Sequence, residues 1–169
     1  NVDNPRNFDN FFKSLRKIRD YYNKKVLIST HPRTRKKLES TNGYVEDDGI
    51  LFSRPFGFFD YVKLELNAFC VLSDSGTITE EASLLKFPAI TMRQAHERPE
   101  GMDEGTVIMA DLDPEKMIDA IDIVTKQYLE GFRVRTVPDY EVGNVSKKVV
   151  RIITSYIDYV NRTVWFKGL

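Results

Sequence analysis

At 169 residues with 41% hydrophobic side chains, the chain is long enough to bury one ordinary core, so a single domain over 1–169 is expected. Basic and acidic residues balance at 25 each, which argues against nucleic acid or an anionic membrane as partner and confines any anion site to a local cluster. The lone Cys70 excludes a disulfide framework and fits a reducing, cytoplasmic setting, and no apolar run approaches the roughly 20 residues of a membrane helix.

The sequence opens on NVDNPRNF, with neither an initiator Met nor a signal-peptide pattern. That opening fits an excised domain or a processed product with residues missing upstream. Phe8, Phe11, Phe12, Leu15, Ile18 and Tyr22 recur at helical spacing, which predicts an amphipathic helix over 8–22. VLIST (26–30) reads as a buried strand, 33–40 as a short basic helix or turn, and GILFS (49–53) as a second strand. A helix is expected over 57–67, with Phe58, Tyr61, Val62 and Leu64 on its apolar side. FCVLS (69–73), AITM (89–92) and TVIMA (106–110) read as three further strands, with a helix over 77–86 between the first two. Asp113-Pro114-Glu115 carries the marks of a helix start: a capping acid, Pro at the first position and an early acid. Met117, Ile118, Ile121, Val124 and Tyr128 give that helix its apolar face, and Val145, Val149, Ile153, Tyr156 and Val160 give one to a last helix over 145–160. The tail TVWFKGL (163–169) is apolar for a chain end, which predicts that it docks on something. Short apolar strands alternating with amphipathic helices imply an α/β fold, a doubly wound, Rossmann-like parallel sheet with helices on both faces.

Ligands of such sheets bind beyond the carboxyl ends of the strands. There the sequence offers His31 and Arg33, then Arg54-Pro55-Phe56, then Asp74-Ser75-Gly76, then Arg93 to Arg98. All four sets are expected along one edge. Ser75 and Gly76 lead into a helix whose free N–H groups and dipole suit a phosphate. Thr77 with Glu80 fits a capping box, and Glu81, one turn in, fits an acceptor for a ribose hydroxyl pair. Arg98 in HERPEG is either a diphosphate clamp or a loop ion-pair partner of Glu97 or Glu100. His31 is either a phosphate donor or acid, or a local hydrogen-bonding residue. RTRKK (33–37) reads as a solvated basic face. GxGxxG and GxxxxGK[ST] are absent, and two histidines and one cysteine make no metal site by spacing.

The ordered run SDSGTITEEASLLKFPAITMRQAHERPEG (73–101) resembles the signature of the bacterial non-hydrolysing UDP-N-acetylglucosamine 2-epimerases, which runs D-S-G-G-x-x-E-E, then K-P, then E-R-P-E. HPRTRKKLE (31–39) is similar to the family's second histidine motif, and NVDNPRNF to the residues after its H-R-x-E motif. The resemblance covers essentially the whole chain but only the C-terminal half of a family member. It implies one half of a two-domain GT-B architecture, with the active site between the halves. By resemblance, Ser75, Gly76 and Glu81 bind the UDP part, Arg98 binds the sugar nucleotide, and catalytic His31 lies close to the diphosphate and reaction centre. The family's acidic catalytic residues belong to an N-terminal domain of the same protein, and the complete enzyme is expected to be a homodimer without metal or nicotinamide cofactor. Thr77 stands where the family has a second Gly; its side chain either narrows the approach to the phosphate or adds a hydroxyl donor.

QAHERPEG (94–101) is most similar to the capsular-polysaccharide branch, whose members act on UDP-N-acetylglucosamine or on UDP-2-acetamido-2,6-dideoxy-L-talose, giving UDP-N-acetyl-L-fucosamine. The implied reaction eliminates UDP to a 2-acetamidoglycal and adds it back with inverted C2. The alternatives are a GT-B glycosyltransferase, which shares the architecture and UDP site, and a non-enzymatic UDP-binding module.

Overall fold

The computed structural model describes residues 5–30 and 49–167. They form helix α1 (Pro5–Tyr22), strands β1 (Val26–Ser29) and β2 (Ile50–Ser53), helix α2 (Phe58–Asn67), strand β3 (Val71–Ser73), helix α3 (Thr77–Leu85), strand β4 (Ala89–Met92), helix α4 (Pro99–Asp103), strand β5 (Ile108–Ala110) and helix α5 (Pro114–Leu129). A 3₁₀ turn (Pro138–Tyr140) and helix α6 (Val145–Thr163) follow. The chain divides into two compact units, 1–137 and 138–169.

All strand pairs are parallel. The strands fall into two ladders, β1–β2 and β3–β4–β5, so the expected sheet is built as two hydrogen-bonded groups. Strand β4 is central in its ladder, and Ala89, Ile90 and Thr91 are all buried. Its alternating side chains feed two cores. Ile90 packs with Ile18, Met117, Ile118 and Ile121 from α1 and α5. Ala89 packs on the other face with Ile78, Ala82, Phe87 and Val107, against α3. Helices thus cover both faces of this sheet, as a fully buried parallel strand requires.

Local chemistry accounts for the element ends. Asp113 Oδ1 accepts from the N–H groups of Glu115 and Lys116 at 3.0 and 3.1 Å, with Pro114 at the first helical position. The predicted strand 106–110 is shorter, because the Thr106 N–H donates to the Gly101 carbonyl at 2.9 Å instead of entering the ladder. Helix α4 was not expected. Its sequence marks are Pro99 at the start and Glu100 in the first turn.

Helix α2 corrects one apolar face. Phe58 is 75% and Leu64 38% exposed, whereas Glu65 is buried and Tyr61 and Val62 are half-buried. The inward face therefore follows 61, 62 and 65, and apolar residues nearly all round this helix had concealed that choice. The predicted strand 69–73 begins only at Val71: Phe69 is taken up by the Tyr22 ring, with centroids 5.2 Å apart, and Lys24 Nζ lies 4.7 Å from its centroid. In the second unit, α6 is a regular helix whose end closes with the Val164 and Trp165 N–H groups on the Val160 carbonyl. No helix among the described residues is long and apolar enough to cross a membrane.

Candidate functional site

The site forms where the chain leaves β3 and β4. After β3, the Ser75 N–H donates to Ser73 Oγ at 3.1 Å, and Ser75 Oγ accepts from the Thr77 N–H at 3.3 Å. The Ser75 and Thr77 hydroxyls lie 2.9 Å apart. Short polar side chains thus hold the turn, and Gly76 sits at the N-cap of α3 with φ −64°. This backbone is open to any residue, so the reason for glycine is space. A Cβ on Gly76 would lie 2.9 Å from Glu97 Oε2 and 3.9 Å from both Cζ and Nη1 of Arg98.

The loop after β4 therefore folds over the start of α3. Arg98 Nε donates to Glu80 Oε1 at 2.7 Å, and Nη1 reaches the Glu97 carbonyl at 3.5 Å. Arg93 pairs with Glu97 at 3.0 Å, and this hydrogen bond holds the exposed Glu97 carboxyl below its ordinary range. Of the two alternatives for Arg98, the ion pair is formed with Glu80, a partner not foreseen, while the charge of Arg98 also acts on Glu97. The proposed capping box of Thr77 with Glu80 is corrected: Glu80 turns to Arg98, and Ser75 satisfies the Thr77 N–H.

Of the expected residues, Ser75, Gly76 and Arg98 converge around the N-terminus of α3. Glu81 lies half-buried on the same helix. Of the four strand ends, 74–76 and 93–98 meet here, while Arg54 is exposed beyond β2. His31, Arg33 and the cluster 33–37 lie outside the described residues. Thr77, the departure from the family pattern, uses its hydroxyl to meet Ser75.

The bond of Glu80 to Arg98 and the buried Glu65 were both missed. Glu80 is separated from Arg98 by 17 intervening positions, so spacing gives no hint of the pair. Glu65 faces inward from α2, and Glu81 and Tyr61 act upon it. The only sequence signal was an acid set between Leu64 and Leu66. A separate groove of about 530 Å³ runs along β5 and α5 beside Arg93, Asp111 and Lys116; none of Ser75, Gly76, Glu81 or Arg98 lines it.

A family model described as UDP-N-acetylglucosamine 2-epimerase matches residues 1–154. The chain belongs to that family. It is 51% identical to the UDP-N-acetylglucosamine 2-epimerase of Rickettsia bellii, whose structure superposes with a TM-score of 0.82 over 96% of this chain and 44% of that one. It is 33% identical over 157 residues to the Methanocaldococcus jannaschii enzyme, covering 91% of this chain and 42% of the relative. A crystal structure of that enzyme in complex with UDP-GlcNAc and UDP superposes with a TM-score of 0.80, covering 92% of this chain and 42% of that one. The fold is the Rossmann-like half of the GT-B architecture of these epimerases. The chain spans less than half the length of the relatives it matches.

Proposed function

We propose that this chain is the UDP-binding half of a UDP-N-acetylglucosamine 2-epimerase. The observation that carries the reading is the closure of Arg98 over Gly76 at the N-terminus of α3, where a guanidinium and the helix N–H groups meet at close backbone approach. Such an edge suits a diphosphate, since the helix end and the cation both favour negative charge. The M. jannaschii relative crystallised with UDP-GlcNAc and UDP supports the choice of ligand.

In this reading Ser75 and Gly76 hold phosphate oxygens and Glu81 accepts from the ribose hydroxyls. Arg98 binds the sugar nucleotide at its diphosphate, and His31 stands close to the reaction centre. The C–O bond between C1 and UDP breaks as the C2 hydrogen leaves as a proton, giving the 2-acetamidoglycal and free UDP. UDP then adds back to C1 while C2 takes a proton on the opposite face. This half stabilises the charge that grows on the departing diphosphate, an electrostatic role. The acid–base carboxylates come from an N-terminal domain of the same protein, and the complete enzyme works as a cytoplasmic homodimer. QAHERPEG favours a place in capsule or surface polysaccharide synthesis, with UDP-N-acetylglucosamine as substrate and UDP-2-acetamido-2,6-dideoxy-L-talose as the second choice.

The test uses the intact protein with UDP-N-acetylglucosamine in deuterium oxide. Proton NMR is expected to show deuterium entering C2 as the epimer forms. Sugar transfer to an acceptor without C2 exchange would move the assignment to a glycosyltransferase, and UDP binding with neither reaction would leave a binding module.

A further inference from the structure

Glu65 is a buried carboxyl for which the reading above has no use. It is 3% exposed, and both of its carboxylate oxygens are buried without a hydrogen-bond partner among the described residues. Two groups act on it: Glu81 from α3, and Tyr61 one turn earlier on α2. Burial first, then the neighbouring Glu81 carboxyl, push the Glu65 carboxyl up to about 7, while the nearby Tyr61 hydroxyl works in the opposite direction. Burial and the charges of both acids likewise push the Tyr61 hydroxyl up to about 12. Among the described residues no cation acts on Glu65, and Arg98 bonds to Glu80.

A carboxyl pair joins only through a proton, and no donor among the described residues stands within hydrogen-bond distance of either Glu65 oxygen. One proton turns the repulsion of two carboxylates into an O–H···O bond, as in other carboxyl pairs that share a site. Glu65 is too buried to meet a ligand, whereas Glu81 is half-buried and reaches the surface. We propose that Glu65 is a positioning residue for Glu81: its carboxyl O–H donates to the Glu81 carboxylate and aims the remaining lone pairs at the ribose diol. The inference rests on the reading of Glu81 as the ribose acceptor. It adds a pH-dependent grip on the ribose, firm while Glu65 holds its proton and weaker once it ionises.

The experiment compares UDP with 2′,3′-dideoxy-UDP by calorimetry on the whole protein, at about pH 6 and about pH 8. The ratio of the two affinities reports the ribose hydroxyls alone, since both ligands carry the same titrating phosphate. The preference for UDP is expected to be about tenfold at the lower pH and to shrink several-fold at the higher. Glu65→Gln, which keeps a donor but cannot ionise, retains the preference at both. Glu65→Met loses it, although its melting temperature rises as a buried acid is replaced by an apolar side chain. A full, pH-independent preference in Glu65→Met overturns the proposal and leaves Glu81 as the ribose acceptor, provided Glu81→Gln loses the preference. Equal affinity for both ligands in the unmodified protein overturns both readings. Should Glu65→Met fail to fold, Glu65→Gln decides: a preference that still falls between the two pH values overturns the proposal.

Discussion

The Nε of Arg98 donates to Oε1 of Glu80 at 2.7 Å, tying the loop after β4 to the first turn of α3. Both side chains are about one-third exposed, so the pair contributes at most about 1 kcal/mol to stability. Its value lies in orientation. A guanidinium fixed through Nε stays beside Gly76 before any ligand arrives, which lowers the ordering cost of binding.

Glu80→Ala is therefore expected to weaken UDP binding by about three- to tenfold while leaving thermal stability within about 1 kcal/mol of the parent. Calorimetry beside a thermal melt separates the two effects. Tighter binding of UDP would mean that the Glu80 charge repels the ligand more than its bond orders Arg98.

Gly76→Ala places a methyl group 2.9 Å from Glu97 Oε2. The backbone at φ −64° is unstrained and the Glu97 carboxylate is the end of a flexible side chain. Stability is expected to change by no more than about 1 kcal/mol. UDP affinity is expected to fall about tenfold or more, because the methyl occupies the approach to the phosphate. Urea titration and calorimetry on the same variant check both halves; unaltered UDP affinity would show that the phosphate does not approach Gly76.

The pH dependence of stability carries a signature of Glu65. Its folded carboxyl is raised to about 7 from the ordinary 4.5. Below the ordinary value both folded and unfolded chains hold the proton, and the contribution is complete. Between about 4.5 and about 7 only the folded chain holds it, so stability falls as pH rises through that window. Urea denaturation of Glu65→Gln is expected to show a flatter profile there, and an identical slope would contradict the assigned burial.

Asp113→Ala provides a control at a side chain whose hydrogen bonds run to the start of α5 and not to Ser75, Gly76, Glu80 or Arg98. Losing the cap that accepts from Glu115 and Lys116 is expected to lower stability by about 1 kcal/mol. UDP affinity should be unchanged. A parallel loss of affinity would mean that binding in the other variants follows stability and not the site.

Much of the fold was legible because its signals are local. Asp113-Pro114-Glu115 announces α5 through backbone chemistry that needs no tertiary partner. The apolar run of β4 between Phe87-Pro88 and Arg93 marks a strand buried on both faces. The site was legible in part. Ser75 and Gly76 stand out as a turn before a helix, and resemblance supplied the ligand class that spacing alone left open. What remained hidden depends on contacts between distant segments. Arg98 reaches back to Glu80 on α3, since the loop folds across the start of that helix. Glu65 turns inward although apolar residues flank it, a choice of face that the composition of α2 does not announce. His31 lies outside the described residues, and its role stays with the proposed function.

The most direct measurement of the central claim is calorimetric titration of the protein and of Arg98→Ala with UDP. The account predicts one saturable UDP site in the parent and at least about a tenfold loss of affinity in the variant, with both proteins folded alike by circular dichroism. No UDP binding by the parent, or equal affinity in Arg98→Ala, would contradict it.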